Sequence, residues 1–133
     1  MQNTRLRLIV ALFLVIGFSA PPCWAKEKGY CYVVSYSLRD KVVFFSPVFT
    51  AVVSGDVYSD EEFVADVELI RSIEGQFTDY QERIGLNTAD YITEARVGYR
   101  SQAVADQRME TEKKRYEGRG FTIKKTGTFA YRE

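Results

Sequence analysis

The chain has 133 residues, 18 basic and 18 acidic, for a net charge of zero and a pI near 6.4, which is not the basic footprint of a nucleic-acid binder. It has no histidine, so the commonest general base and the commonest metal ligand are missing. Its two cysteines are too few for a zinc site built from sulfur and imidazole.

Arg5 and Arg7 precede an apolar run over residues 8–18, and Pro21-Pro22 then breaks any helix. Cys23-Trp24-Ala25 follows, with small residues at the two positions a signal peptidase reads. This layout predicts a secretory signal peptide over residues 1–25, cleaved after Ala25, and export to a bacterial periplasm. The apolar run is shorter than the roughly 20 residues that span a bilayer, so no stable membrane insertion is expected. Ala20 and Pro22 stand where a lipoprotein signal needs an aliphatic and a small residue, which argues against a lipid anchor. Residues 26–133 are then one domain with a single cysteine, Cys31, which has no partner for an intrachain disulfide. Cys31 reads as a small apolar residue in a strand, with an intermolecular disulfide as the alternative. Charge is uneven within the domain: residues 26–99 hold 7 basic and 13 acidic side chains, and residues 100–133 hold 9 and 5.

Residues 30–37 (YCYVVSYS) are dense in tyrosine and valine and read as a strand. A polar link over 38–41 leads to a second apolar run over 42–49, which predicts an antiparallel hairpin. Pro47 cannot donate to a ladder, so this second strand either lies at an edge or ends near Ser46. Ser54-Gly55-Asp56 signals a turn. Ser59 and Glu62 match a capping box and predict a helix from there. Phe63, Val67, Ile70, Ile73, Phe77, Tyr80 and Ile84 give it one apolar stripe, and Gly85 a stop. Residues 91–100 alternate as a strand. Ser101 is the expected N-cap of a second helix, and Gly118-Arg119-Gly120 ends it. Residues 121–131 alternate again, with Phe121, Ile123, Phe129 and Tyr131 on one face and a bulge expected at Gly127. The two strands flanking the second helix read as a parallel crossover unit.

The expected architecture is a two-layer α+β sandwich in the order β-β-α-β-α-β, a mixed sheet with two helices on one face. No catalytic or metal-binding set emerges, and no cofactor is implied. Asp60, Glu61, Glu62 and Asp66 lack the alternating ligand spacing of a calcium loop and read as an acidic first helical turn. Two sets are candidates for binding. One is the tyrosine row Tyr30, Tyr32 and Tyr36, which either packs under a helix or lies open as an aromatic surface. The other is Arg96, Arg100 and Lys124, with Arg119 beside them, expected on the outer face of the last two strands.

Val97-Gly98-Tyr99-Arg100-Ser101, then Ala105, then Gly118-Arg119-Gly120-Phe121-Thr122-Ile123 resembles the second half of SPOR domains. Those are envelope modules of ferredoxin-like fold that bind peptidoglycan glycan strands denuded of stem peptides. The likeness covers residues 97–123 only, and two strands precede the first helix here. The resemblance implies peptidoglycan as a partner. The leading expectation is a small exported non-enzymatic binding protein that engages another envelope protein, as an inhibitor or immunity factor. The alternatives are a SPOR-like glycan-binding module and a homodimeric structural domain.

Overall fold

The tyrosine- and valine-rich run forms β1 (Glu27–Ser37), and seven of its eleven residues are buried. In the computed structural model, which describes residues 26–133, every other strand but one pairs directly with it. β2 (Val42–Phe45) and β3 (Phe49–Val53) run antiparallel to β1, one after the other along a single edge. β4 (Ile92–Tyr99) runs antiparallel along the opposite edge, since Tyr30 and Val34 each have a partner on both sides. β5 (Thr122–Lys125) pairs in parallel with β2. The result is a mixed sheet in an α+β fold, with β4 and β5 running in the same direction at its two margins. The expected segment 1–25 lies outside the described residues.

Pro47 decides where the second arm breaks. The register with β1 shifts by one residue between Phe45 and Phe49, so Ser46-Pro47-Val48 is a bulge and the arm becomes two strands. Ser46 repairs the ladder there. Its N–H donates to the Val33 carbonyl at 3.0 Å, and its Oγ accepts the Val33 N–H at 2.8 Å. A second irregularity lies opposite, where Gly98 (φ +91°) shifts the β4 register. It passes so close to Gly29 that a Cβ on Gly29 would stand 3.0 Å from the Gly98 Cα and 2.8 Å from Val53 Cγ1.

The helices are α1 (Val67–Arg83) and α2 (Gln102–Gly118). Asp66 caps α1 by accepting the Glu68 N–H, and Ser101 caps α2 by accepting the Val104 N–H, as its sequence position predicts. They pack on opposite faces of the sheet. α2 covers Tyr32, Val34, Val43 and Phe45 with Ala105 and Tyr116. α1 covers Val33 and Phe44 with Ile73, Phe77 and Tyr80. This corrects the expected placement of both helices on one face. Successive β1 residues point to opposite faces, and both sets are apolar, so each face needs its own cover.

Three further boundaries differ from the sequence expectation. α1 begins at Val67, not near Ser59, because the chain from Val57 to Phe63 folds back on itself as a bridged turn. Residues 49–53 form a strand, β3, that the turn signal had obscured. The last strand stops at Lys125, and the Phe129 N–H closes a turn onto the Thr126 carbonyl. Phe121 and Ile123 therefore pack under α2, whereas Phe129 and Tyr131 cross to the α1 side.

Ser46→Ala removes the acceptor of a buried N–H and is expected to destabilise the fold by about 1–3 kcal/mol, measured by urea unfolding.

Candidate functional site

The tyrosine row is not an open surface. Tyr32 is fully buried beneath α2, stacked on Tyr99 at a ring-centroid distance of 5.9 Å, and its hydroxyl donates to Glu112 Oε1 at 2.7 Å. Tyr36 tilts against Tyr116 at 5.7 Å, and Tyr30 is half-buried at the rim of the same cluster. The basic set is dispersed as well. Arg96 Nε donates to Glu112 Oε1 at 2.8 Å and its Nη2 to Glu94 at 2.9 Å, on the α2 face. Arg100 Nη1 reaches the carbonyls of Ser59 and Asp60, both at 3.4 Å, with the guanidinium over the Phe63 ring. Lys124 sits on β5, at the other margin of the sheet, over Phe44 on the α1 face. Arg119 lies over Tyr116 and Phe121. β1 and β2 separate the last two strands, so these cations do not gather on one face.

The structure instead assembles a surface that the sequence reading missed, the loop over residues 54–66. Among the described residues, three of the eight exposed large apolar side chains lie in it, Val57, Tyr58 and Val64, with Tyr58 76% exposed, and Val67 follows at the start of α1. The loop is nevertheless firmly held. Val57 and Phe63 bridge, the Tyr58 and Ser59 N–H groups both donate to the Glu62 carbonyl at 3.0 Å, and the Val64 N–H donates to Asp56 at 2.7 Å. Ser59 Oγ accepts the N–H groups of Glu61 and Glu62, so the S-x-x-E pattern caps a tight turn where a helix start was expected. The turn is also stitched to β4. Phe63 N–H donates to Gly98 and Arg100 N–H to Glu61, both at 2.8 Å, and Phe63 itself is buried. Arg108 of α2 adds a 2.7 Å ion pair to Glu61. Among the described residues, Asp56, Asp60, Glu62 and Asp66 have no cation within 4 Å. The loop thus offers one aromatic ring and several unpaired carboxylates on a fixed backbone. The available signal was that Val57 and Tyr58 precede the apolar helix stripe and had no burial role in it.

Electrostatics elsewhere are inward-facing. Burial, then the Glu112 carboxylate beside its hydroxyl, raises the Tyr32 phenol above its ordinary value. Burial also raises Tyr99 and Tyr116. For Arg96, burial opposes the charge, but the hydrogen bonds it donates to the Glu112 and Glu94 carboxylates outweigh it and raise the group. Cys31 is fully buried and burial pushes its thiol up to about 11, which makes it a packed residue and a poor nucleophile. Comparison with protein-family models, curated proteins and solved structures finds no match, so the functional reading rests on these residues themselves. The residues that carry the SPOR likeness include Tyr99, Ala105 and Phe121, all of them in the core.

The raised phenols keep their protons in the fold above the pH at which the unfolded chain loses them, so stability holds below about pH 10 and falls above it. In a spectrophotometric titration, tyrosinate from Tyr32, Tyr99 and Tyr116 is expected only together with loss of the circular dichroism signal. Glu112→Gln, which leaves the half-buried Arg96 with Glu94 as its one remaining charge partner among the described residues, is expected to cost about 1–3 kcal/mol. Asp90→Asn, at the exposed pair with Arg39, is expected to cost less than about 1 kcal/mol in the same denaturation assay.

Proposed function

We propose that this is a small exported, non-enzymatic protein that binds another envelope protein through the loop over residues 54–66. The observation that carries this reading is a heavily exposed tyrosine on a backbone already fixed by its own hydrogen bonds. Exposed aromatics anchor interfaces, and a loop that is ordered before binding forfeits little conformational entropy on docking. Unpaired carboxylates on the same loop favour a partner with a basic rim about an apolar slot, and they make association faster at low salt. An inhibitor or immunity factor works in this way, by presenting a rigid plug to another protein's cleft.

The alternative, a glycan binder of the SPOR type, draws on Arg96 and Arg100. Both guanidinium groups are engaged within the chain, Arg96 by Glu112 and Glu94 and Arg100 by loop carbonyls, so the protein-partner reading is preferred.

The test is a quantitative pull-down from envelope extract, with the unsubstituted chain and Tyr58→Ala compared side by side. Truncating a central anchor is expected to weaken a stoichiometric partner by more than about tenfold, with the melting temperature unchanged. Arg100→Ala, which loosens the turn without touching the ring, is expected to give a smaller loss. Equal recovery by wild type and Tyr58→Ala would overturn the loop assignment. Sedimentation of the chain with peptidoglycan sacculi would favour the glycan reading instead.

A further inference from the structure

Residues 126–133 follow β5 and cross the α1 side without joining the ladder, yet their contacts are those of a bound peptide. Phe129 is buried edge-on among Phe49, Phe77 and Tyr80, with ring centroids 5.8, 5.0 and 5.6 Å away. Tyr131 rests on Phe49 at 5.6 Å, and the Thr128 hydroxyl shares a hydrogen bond with that of Tyr80. The Gln76 side chain donates to the Arg132 carbonyl at 2.6 Å and accepts its N–H at 3.0 Å. That is the two-way exchange a hydrogen-bonded residue pair makes between antiparallel strands, here supplied by an amide side chain. The Val52 N–H, on the outer edge of β3, donates to the Glu133 carboxylate at 2.6 Å.

The segment is anchored but not packed along its length. A cavity of about 970 Å³ opens between it and α1, and another of about 470 Å³ opens on the Pro47 side. Phe129 and Ala130 line both. The anchor point before it is firm, because Thr126 gives both its N–H and its hydroxyl to the Phe45 carbonyl at 3.1 Å. Gly127 follows inside the turn that the Phe129 N–H closes onto the Thr126 carbonyl at 3.2 Å, and nothing lies within 4 Å of its missing side chain.

We infer that the groove between α1 and β3 is a recognition site for an extended aromatic-x-aromatic segment, filled here by residues 128–133 of the same chain and able to take residues 128–133 of a second copy. The groups that read the segment are the aromatic pocket, the Gln76 amide and the Val52 N–H, and none of them depends on which copy supplies it. Exchange requires the turn between Thr126 and Phe129 to open at Gly127, where no neighbouring atom obstructs the new path of the chain. In an intact chain the resident segment competes at high effective concentration, so exchange is suppressed until its own anchor is weakened. The site shares no residue with the Tyr58 loop, and its fate does not bear on that proposal.

The experiment uses the full chain, its Phe129→Ala variant and a fluorescein-labelled synthetic peptide with the sequence of residues 127–133. Fluorescence anisotropy is expected to show saturable binding to Phe129→Ala that is tighter than to the unsubstituted chain by at least roughly tenfold. Adding Gln76→Ala, or replacing the phenylalanine of the peptide by alanine, is expected to abolish it. Absence of binding to a Phe129→Ala chain with native circular dichroism would overturn the inference, as would equal binding to both chains. Should Phe129→Ala fail to fold, Tyr131→Ala weakens the segment at a half-buried ring and is judged by the same comparison.

Discussion

Burial of β1 on both faces is the constraint from which the rest of the structure follows. Tyr32 and Val34 face one way and Val33 and Ser35 the other, and all four are completely inaccessible. A strand of this kind has to be central, with neighbours on both edges and a layer on both sides. β2, β3 and β4 supply the edges, and α1 and α2 supply the layers. Because β4 and β5 sit at opposite margins, α2 has to cross the whole width of one face, and the buried aromatics beneath it fill that width.

Polar groups within this core are matched to one another, except that the buried Gln81 amide nitrogen has no partner among the described residues. Ser35 Oγ donates to the buried Gln81 amide oxygen at 3.2 Å and pairs with Thr93 at 2.9 Å, under α1. On the other face, Glu112 receives both the Tyr32 hydroxyl and Arg96. The sheet margins are protected individually. Glu74 of α1 accepts the outward Ala95 N–H of β4, the turn over residues 61–63 closes the end of that strand, and β5 carries two lysines. The Glu133 side chain does the same for β3, which ties the last residues of the chain to sheet protection as well as to core packing.

The two proposed surfaces have opposite physical characters. The Tyr58 loop is exposed yet held by backbone bonds to β4, by Arg100 and Arg108 and by the buried Phe63, so Val57, Tyr58 and Val64 face outward from a fixed backbone. The last segment is inserted, with its aromatic ring in the core and open space on either side. Rigid exposed loops suit recognition of a foreign surface, and an inserted segment suits exchange between identical chains.

Much of this was written in local residue chemistry. The valine- and tyrosine-rich strand, the apolar stripe of α1 from Ile70 to Tyr80, the Ser101 cap and the break at Gly118-Arg119-Gly120 all stand where short-range physics puts them. So does the interruption at Ser46-Pro47, since a proline without an N–H disturbs a ladder in any context. Ser59 shows the limit of that reading. Its hydroxyl caps free N–H groups whether the chain goes on as a helix or reverses, and only the docking of Phe63 beside Gly98 selects reversal. The tyrosine row and the basic set do not form the open faces expected of them for a related reason: alternation tells which side chains share a face, but not whether a helix covers it. The sequence by itself determined the α+β class and most of the elements, because propensity, capping and periodicity act over a few residues. Tertiary structure alone decided which faces the helices cover and that Tyr58 stays outside, because burial depends on partners far away in the chain.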